Sequence, residues 1–365
     1  MYKKYNRETY SELERQHNIF VLVGNGFDIA VLDKYKDGLM KGKSTSYSDF
    51  FDYITYYNLC DNKNVLYNKM SEDKINNRDN WCDFENTISE LMNHRGVDNV
   101  ELEGCVDEFQ AHFTRFLNEI VDADVLLNLN YDSQKNGWAR HSLAHFLDDQ
   151  RDSIVDFSNK TGHYDLFYFV FANFNYTSLL DNYLYLDKTQ FDPHYWKSAD
   201  RNFQFYLNQN NSPNTSWSSY LVYDIVHPNG IQDIPRSILF GTYMDSYDKG
   251  RSREKRLIKD YWAQYDVKYK SYIEEAELII IYGMSLGKTD GWWMDNIYDA
   301  ILNRDVELVI YMYGNYDEDN VKNKFIDACL KHKNDLSDTI MHVKEKIFVI
   351  TFNENNTHFL GFNEA

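Results

Sequence analysis

The chain has 365 residues, 43% hydrophobic and 16% aromatic, with a formal net charge of −19. That apolar content supports a sizeable core, and with only 4 Pro and 16 Gly it excludes a collagen-like or low-complexity chain. The negative charge repels a phosphate backbone over most of the surface, so nucleic acid is not an expected partner.

The first predicted element is a strand, Asn18–Val23, "NIFVLV", apolar on both faces as in a covered parallel sheet. A loop from Asp28 to Ser44 follows. Ser44, Thr45 or Ser46 then caps a helix reading "YSDFFDYITYY". Phe84, Ile88, Leu91 and Met92 recur at helical spacing. So do Val106, Phe109, Phe113, Phe116, Leu117, Ile120 and Val121. A further helix is predicted over Trp138–Val155. With no strand signal between them, Thr45–Tyr164 reads as a helical insert. Strand signals resume at Leu166–Phe171, Tyr220–Val226, Ser237–Phe240, Leu278–Tyr282, Val306–Tyr313 and Ile347–Phe352. Gln204–Ser219 reads as a loop. In "GWWMDNIYDAILN", Trp293, Ile297, Ala300 and Ile301 share one helix face. Strands alternating with helices predict an open parallel α/β sheet. The predicted organisation is residues 1–44 with the first strand, 45–164 as the insert, and 165–365 as the rest of the α/β domain.

Cys60, Cys82, Cys105 and Cys329 are scattered and spell out no zinc knuckle. No run approaches 18 apolar residues, and the polar start "MYKKYNRETYSELERQ" lacks the apolar centre of a signal peptide. A cytoplasmic protein with free thiols and no membrane partner is expected.

Five stretches carry candidate chemistry. In Gly24-Asn25-Gly26-Phe27-Asp28, glycines at a strand end let a phosphate approach backbone N–H groups. Ile29 stands where the third glycine of a dinucleotide fingerprint would be, and a plain tight turn is the alternative. Asn175 and Thr177 follow the strand end "FANFNYT". Asn175 suits a ribose hydroxyl or a water, and Thr177 suits a helix cap. His227, in "DIVHPNG", is a proton acceptor near neutral pH or a turn histidine. Gly283, Ser285, Gly287 and Asp290 end the strand "LIIIYGMSLGKTD". Asp290 could hold ribose hydroxyls or cap the next helix. Asp83 and Glu85 fit a helix start more readily than a site.

In order, "GNGFDIA", "TSYSDF", "NWCDFE", "FNYT", the His227 turn, "ILFG" and "YGMSLGKTD" resemble the AbiH family of bacterial abortive-infection proteins, which act against phage. Gly24, Asn175, His227 and Gly283-Met284-Ser285-Leu286 are also similar, by position, to sirtuin-like NAD-binding domains. That resemblance implies a Rossmann-like, sirtuin-like, mostly parallel sheet flanked by helices, with a large insert after the first strand. It implies NAD as substrate or ligand, cleaved at the nicotinamide–ribose bond, with no metal. Asn175 and His227 would be catalytic. The Gly24–Gly26 amides would take the pyrophosphate, with Asn25, Asp28, Thr177, Gly283, Ser285 and Asp290 completing the cofactor site. The absence of paired cysteines argues against a deacetylase, and Pro228 and Asn229 separate His227 from Gly230. The function implies a phage-derived trigger or a homo-oligomeric switch. The alternatives are a non-catalytic NAD or ADP-ribose sensor, or a metal-dependent nuclease using Asp83, Glu85, Asp245 or Asp290.

Overall fold

The computed structural model describes residues 15–38, 41–60, 63–93, 98–144, 146, 156–161, 165–185, 220–243, 254–353 and 358–362. Its centre is a six-stranded, wholly parallel sheet: β1 (Gln16–Val23), β2 (Leu166–Asn173), β3 (Tyr220–Val226), β4 (Leu278–Tyr282), β5 (Glu307–Tyr313) and β6 (Ile347–Phe352), in the spatial order β3-β2-β1-β4-β5-β6. Parallel strands need crossover connections, and helices fill them. The connection from β1 to β2 carries α1 (Gly26–Tyr35) and then, within the insert, α2 (Tyr47–Tyr56), α3 (Val65–Ile75), α4 (Phe84–Asn93), α5 (Asn99–Ile120), α6 (Ala123–Asn136) and α7 (Trp138–Ala144). Later connections carry α8 (Leu179–Leu184), the short helices α9 (Lys259–Trp262), α10 (Tyr265–Lys268) and α11 (Lys270–Glu275), then α12 (Gly291–Arg304), α13 (Glu318–Ala328) and α14 (Ser337–Glu345).

Strand alternation divides the core. Ile19, Val21 and Val23 of β1 join one hydrophobic cluster, and Phe20 and Leu22 join another. The first continues into the insert through Phe50, Phe84, Phe109, Phe113 and Phe116, so the insert and one sheet face share a core. The second holds Trp293, Ile297, Ala300 and Ile301 of α12, the predicted face.

Two expectations change. Asp28–Ser44 is not all loop, because α1 begins at Gly26 and uses Phe27, Val31 and Leu32 as its buried face. Ser237–Phe240 is not a strand. Pro235–Ser237 forms a single 3₁₀ turn, and the Leu239 N–H goes to the Asn229 carbonyl. Its apolar residues serve packing: Phe240 lies 4.7 Å from Phe84 and 5.2 Å from Phe113, ring centre to ring centre. The helix expected over Trp138–Val155 is described over Trp138–Ala144, and residues 145 and 147–155 lie outside the described residues. So do the 204–219 stretch and Asp245.

Two glycines test the packing. A Cβ on Gly26 would come within 2.8 Å of the Gly283 Cα, a backbone atom. On exposed Gly104 in α5 it would meet nothing within 4 Å. Gly26→Ala should lower stability by about 1–3 kcal/mol, and Gly104→Ala should raise it by roughly 0.5–1 kcal/mol. Chemical denaturation reads both, and a Gly26→Ala protein as stable as the parent would contradict the contact.

Candidate functional site

The register β1–β2 and β1–β4 sets Val23 beside both Asn173 and Tyr282. Gly24, Phe174 and Gly283 therefore leave three adjacent strands at one level. This is the carboxyl edge, where open parallel sheets bind ligands. Here the loop after β1 is laced to the loop after β4. The Gly24 N–H donates to the Tyr282 carbonyl and the Gly26 N–H to the Gly283 carbonyl, each at 2.9 Å. Gly283 has φ +64°, a conformation open to glycine. A Cβ on Gly24 would meet the Met284 Cγ at 2.6 Å. The glycines thus allow backbone to touch backbone. Their two amides are already used, which corrects the expectation that they take a pyrophosphate.

Asp28, in the first turn of α1, is fully buried. Its Oδ2 accepts from the Thr177 hydroxyl at 2.7 Å, and its Oδ1 has no partner. Burial, reinforced by the charge of Asp181, pushes its pKa up to about 7 although the Thr177 bond opposes the rise. On the neighbouring strand end, the Asn173 side chain accepts from the Asn175 N–H (3.1 Å) and donates to the Thr177 carbonyl (3.3 Å). Asn175 is 4% exposed, and its Nδ2 has no partner. Asp181 receives Asn173 Nδ2 at 3.4 Å and His227 Nε2 at 3.0 Å.

These strand ends open into a cavity of about 1060 Å³, ample for a dinucleotide-sized ligand. Gly24, Asn25, Gly26, Asp28, Asn175, Gly283, Ser285 and Asp290 all line it. Thr177 lies behind Asp28. His227 is not among the lining residues; its turn instead contributes Asn229, fixed by Phe174 O (3.2 Å) and by the Tyr265 hydroxyl (3.2 Å). Asn25 is tied to the insert by the Thr45 hydroxyl. Asp290 stands at the N-cap of α12 without a capping bond from its side chain.

One end of the cavity is charged. Lys259 and Glu85, both buried, pair at 2.6 Å across the junction between the insert and the rest of the chain. Asp83 and Asp290 add their charges around Lys259. Burial outweighs the lysine and raises Glu85 to about 7, and burial also raises Asp83 and Asp290. Asp83 keeps its helix-start role as well, accepting from the Asn86 N–H. Among the described residues no three His, Cys, Asp or Glu side chains are arranged to hold a metal ion. The other end is aromatic. Tyr282 stacks on Phe352 at 5.2 Å, and His358 lies 4.1 Å from Phe352. His358 Nδ1 is engaged by the Phe359 carbonyl at 2.8 Å, and burial lowers its pKa. A neutral imidazole with Nε2 as acceptor results. Neither Lys259 nor His358 was foreseen. Nothing in "LIKDYW" marks Lys259 as a buried partner of Glu85. His358 follows the last strand, with no motif around it.

The fold and site define a parallel α/β protein with a ligand-sized cleft at the topological switch point of its sheet. The family model "Bacteriophage abortive infection AbiH" matches residues 20–312, and the chain belongs to that family. Membership places it in bacteriophage abortive infection. No curated protein matches the chain. No helix among the described residues is long and apolar enough to cross a membrane.

The folded-state pKa of Asp28 lies above its ordinary 3.8. Its folded form therefore holds the proton longer than the unfolded chain, and its ionisation opposes folding increasingly from about pH 4 to about pH 7. Asp28→Asn keeps an acceptor for Thr177. It should raise the thermal midpoint at pH 8 by a few degrees (roughly 1–2 kcal/mol) and leave it unchanged at pH 4. A shift of equal size at both pH values would contradict the burial of an unpaired carboxylate.

Proposed function

We propose that this AbiH protein is an abortive-infection effector that binds NAD in the cavity and hydrolyses its nicotinamide–ribose bond. One observation carries the reading: the cavity opens at the switch point between β1 and β4, with two buried polar groups, Asp28 Oδ1 and Asn175 Nδ2, lacking a protein partner there. The strand order β3-β2-β1-β4-β5-β6 is that of dinucleotide-binding doubly wound sheets and supports the Rossmann-like, sirtuin-like expectation.

The electrostatics suit the bond to be broken. Five carboxylates (Asp28, Asp33, Asp83, Glu85, Asp290) and two ammonium groups (Lys34, Lys259) line the cavity. As the C1′–N bond breaks, its electron pair leaves with neutral nicotinamide and positive charge develops on the ribose. Nicotinamide leaves neutral, so no acid is needed, and an anionic wall offsets the charge left on the ribose. Water then bonds to C1′ and gives up a proton. His358 Nε2 takes it in this proposal. Asn175 and Asp28 hold the nicotinamide half, and the Tyr282–Phe352 stack supports a planar ring. Ser285, exposed at the cavity edge, and Asp290 serve the adenosine half. His227 acts one step back, through Asp181 and Asn173. An NAD-destroying enzyme must be held off in the healthy cytoplasm, so a phage-derived trigger or a homo-oligomeric switch belongs to the same proposal.

Purified protein is incubated with NAD and nicotinamide is followed, with extract of infected cells added as a trigger. Wild type should release nicotinamide. Asn175→Ala and His358→Gln should each slow release by about 10²-fold while remaining folded by circular dichroism. No release from wild type, with or without extract, would overturn the proposal.

A further inference from the structure

The segments that carry Asp28 and Asn175 are neighbours. They leave adjacent strands, Phe174 N–H donates to the Val23 carbonyl at 2.9 Å, and Thr177 bridges the second segment back to Asp28. Both side chains are more than nine-tenths buried, both line the cavity, and each has one atom without a partner. The unpartnered atoms differ in kind. Asp28 Oδ1 is an acceptor and Asn175 Nδ2 is a donor. Thr177 holds the other Asp28 oxygen, and Asn173 holds the Asn175 backbone. Buried polar atoms are normally satisfied, so an unpartnered acceptor and an unpartnered donor lining one cavity ask for a ligand group with the opposite pattern.

We propose that Asp28 and Asn175 together read a primary carboxamide, with Asn175 Nδ2 donating to its carbonyl oxygen and Asp28 Oδ1 accepting from its NH₂, and so select the carboxamide form of the dinucleotide over the form carrying a carboxylate. The inference rests on the proposed NAD reading of the cavity and adds the basis of its selectivity. A carboxylate in that position would offer no donor to Asp28 and would bring a like charge against it in a water-poor site. That is discrimination by an unpaired buried acceptor plus repulsion. The charge of Asp181 adds to the repulsion. Asp28→Asn reverses the chemistry at nearly constant shape. Its amide can donate to a carboxylate while its oxygen still accepts from Thr177.

The test is calorimetric titration at pH 8 with carba-NAD and with its deamido counterpart. In both, a methylene replaces the ribose ring oxygen and prevents cleavage. Wild type should bind the carboxamide compound at least about 30-fold more tightly. Asp28→Asn should bring the two within about threefold. Should that variant fail to fold, Asn175→Asp replaces the donor with an acceptor and should weaken carba-NAD by at least about tenfold. Equal wild-type affinities, or a full ratio retained in Asp28→Asn, would overturn the inference and leave the NAD reading intact. Binding of neither compound to wild type would overturn both.

Discussion

The site depends on one contact, the touching backbones of Gly26 and Gly283. Two strands that are neighbours in the sheet send their loops toward each other, and the loops meet with no side chain between them. This closes the floor between β1 and β4. It also fixes the first turn of α1, and with it the direction of Asp28. The bond from Thr177 follows from that direction. Thr177 meets Asp28 because β2 runs beside β1 in register, and Asn175 faces the same space two residues earlier. A side chain at either glycine would push the loops apart and misdirect the carboxylate. The glycine pattern of dinucleotide sites arises here from a different requirement, close approach of protein to protein.

The second constraint is electrostatic. A cavity with more carboxylates than ammonium groups favours a group that becomes positive. Burial raises Asp28 and Glu85 to about 7, so each rests near its own ionisation point under cellular conditions. A ligand that donates to them or brings positive charge would favour their ionised forms. The Lys259–Glu85 pair also couples the insert to the sheet, since its two halves come from α4 and α9. Movement of the insert would therefore change the charge of the cavity directly.

The sheet was legible because its strands stand out as short apolar runs between turns, the inner ones buried on both faces. β3, β4 and β6 fall on the predicted residues, and β1, β2 and β5 differ by a few residues at their ends. Ser237–Phe240 misled because Ile238 and Phe240 are apolar for packing against the insert, a purpose that alternation cannot distinguish from pairing. The site was legible where it lies at strand ends: Gly24, Asn25, Gly26, Asp28, Asn175, Gly283, Ser285 and Asp290 line one cavity. It was illegible where residues reach it from elements without a local signal. Lys259 sits on a four-residue helix, and His358 lies beyond residues 20–312, which the family model matches. His227 drew attention by its place after a strand, yet the bond to Asp181 turns it away and the same turn delivers Asn229.

The central claim is that NAD occupies the cavity at the Gly26–Gly283 contact. Hydrogen–deuterium exchange of the purified protein with and without saturating NAD tests it most directly. Protection confined to peptides covering 24–30, 80–85, 173–177, 282–290 and 350–362 is the predicted result. Unchanged exchange in those peptides, or protection elsewhere alone, would contradict the account.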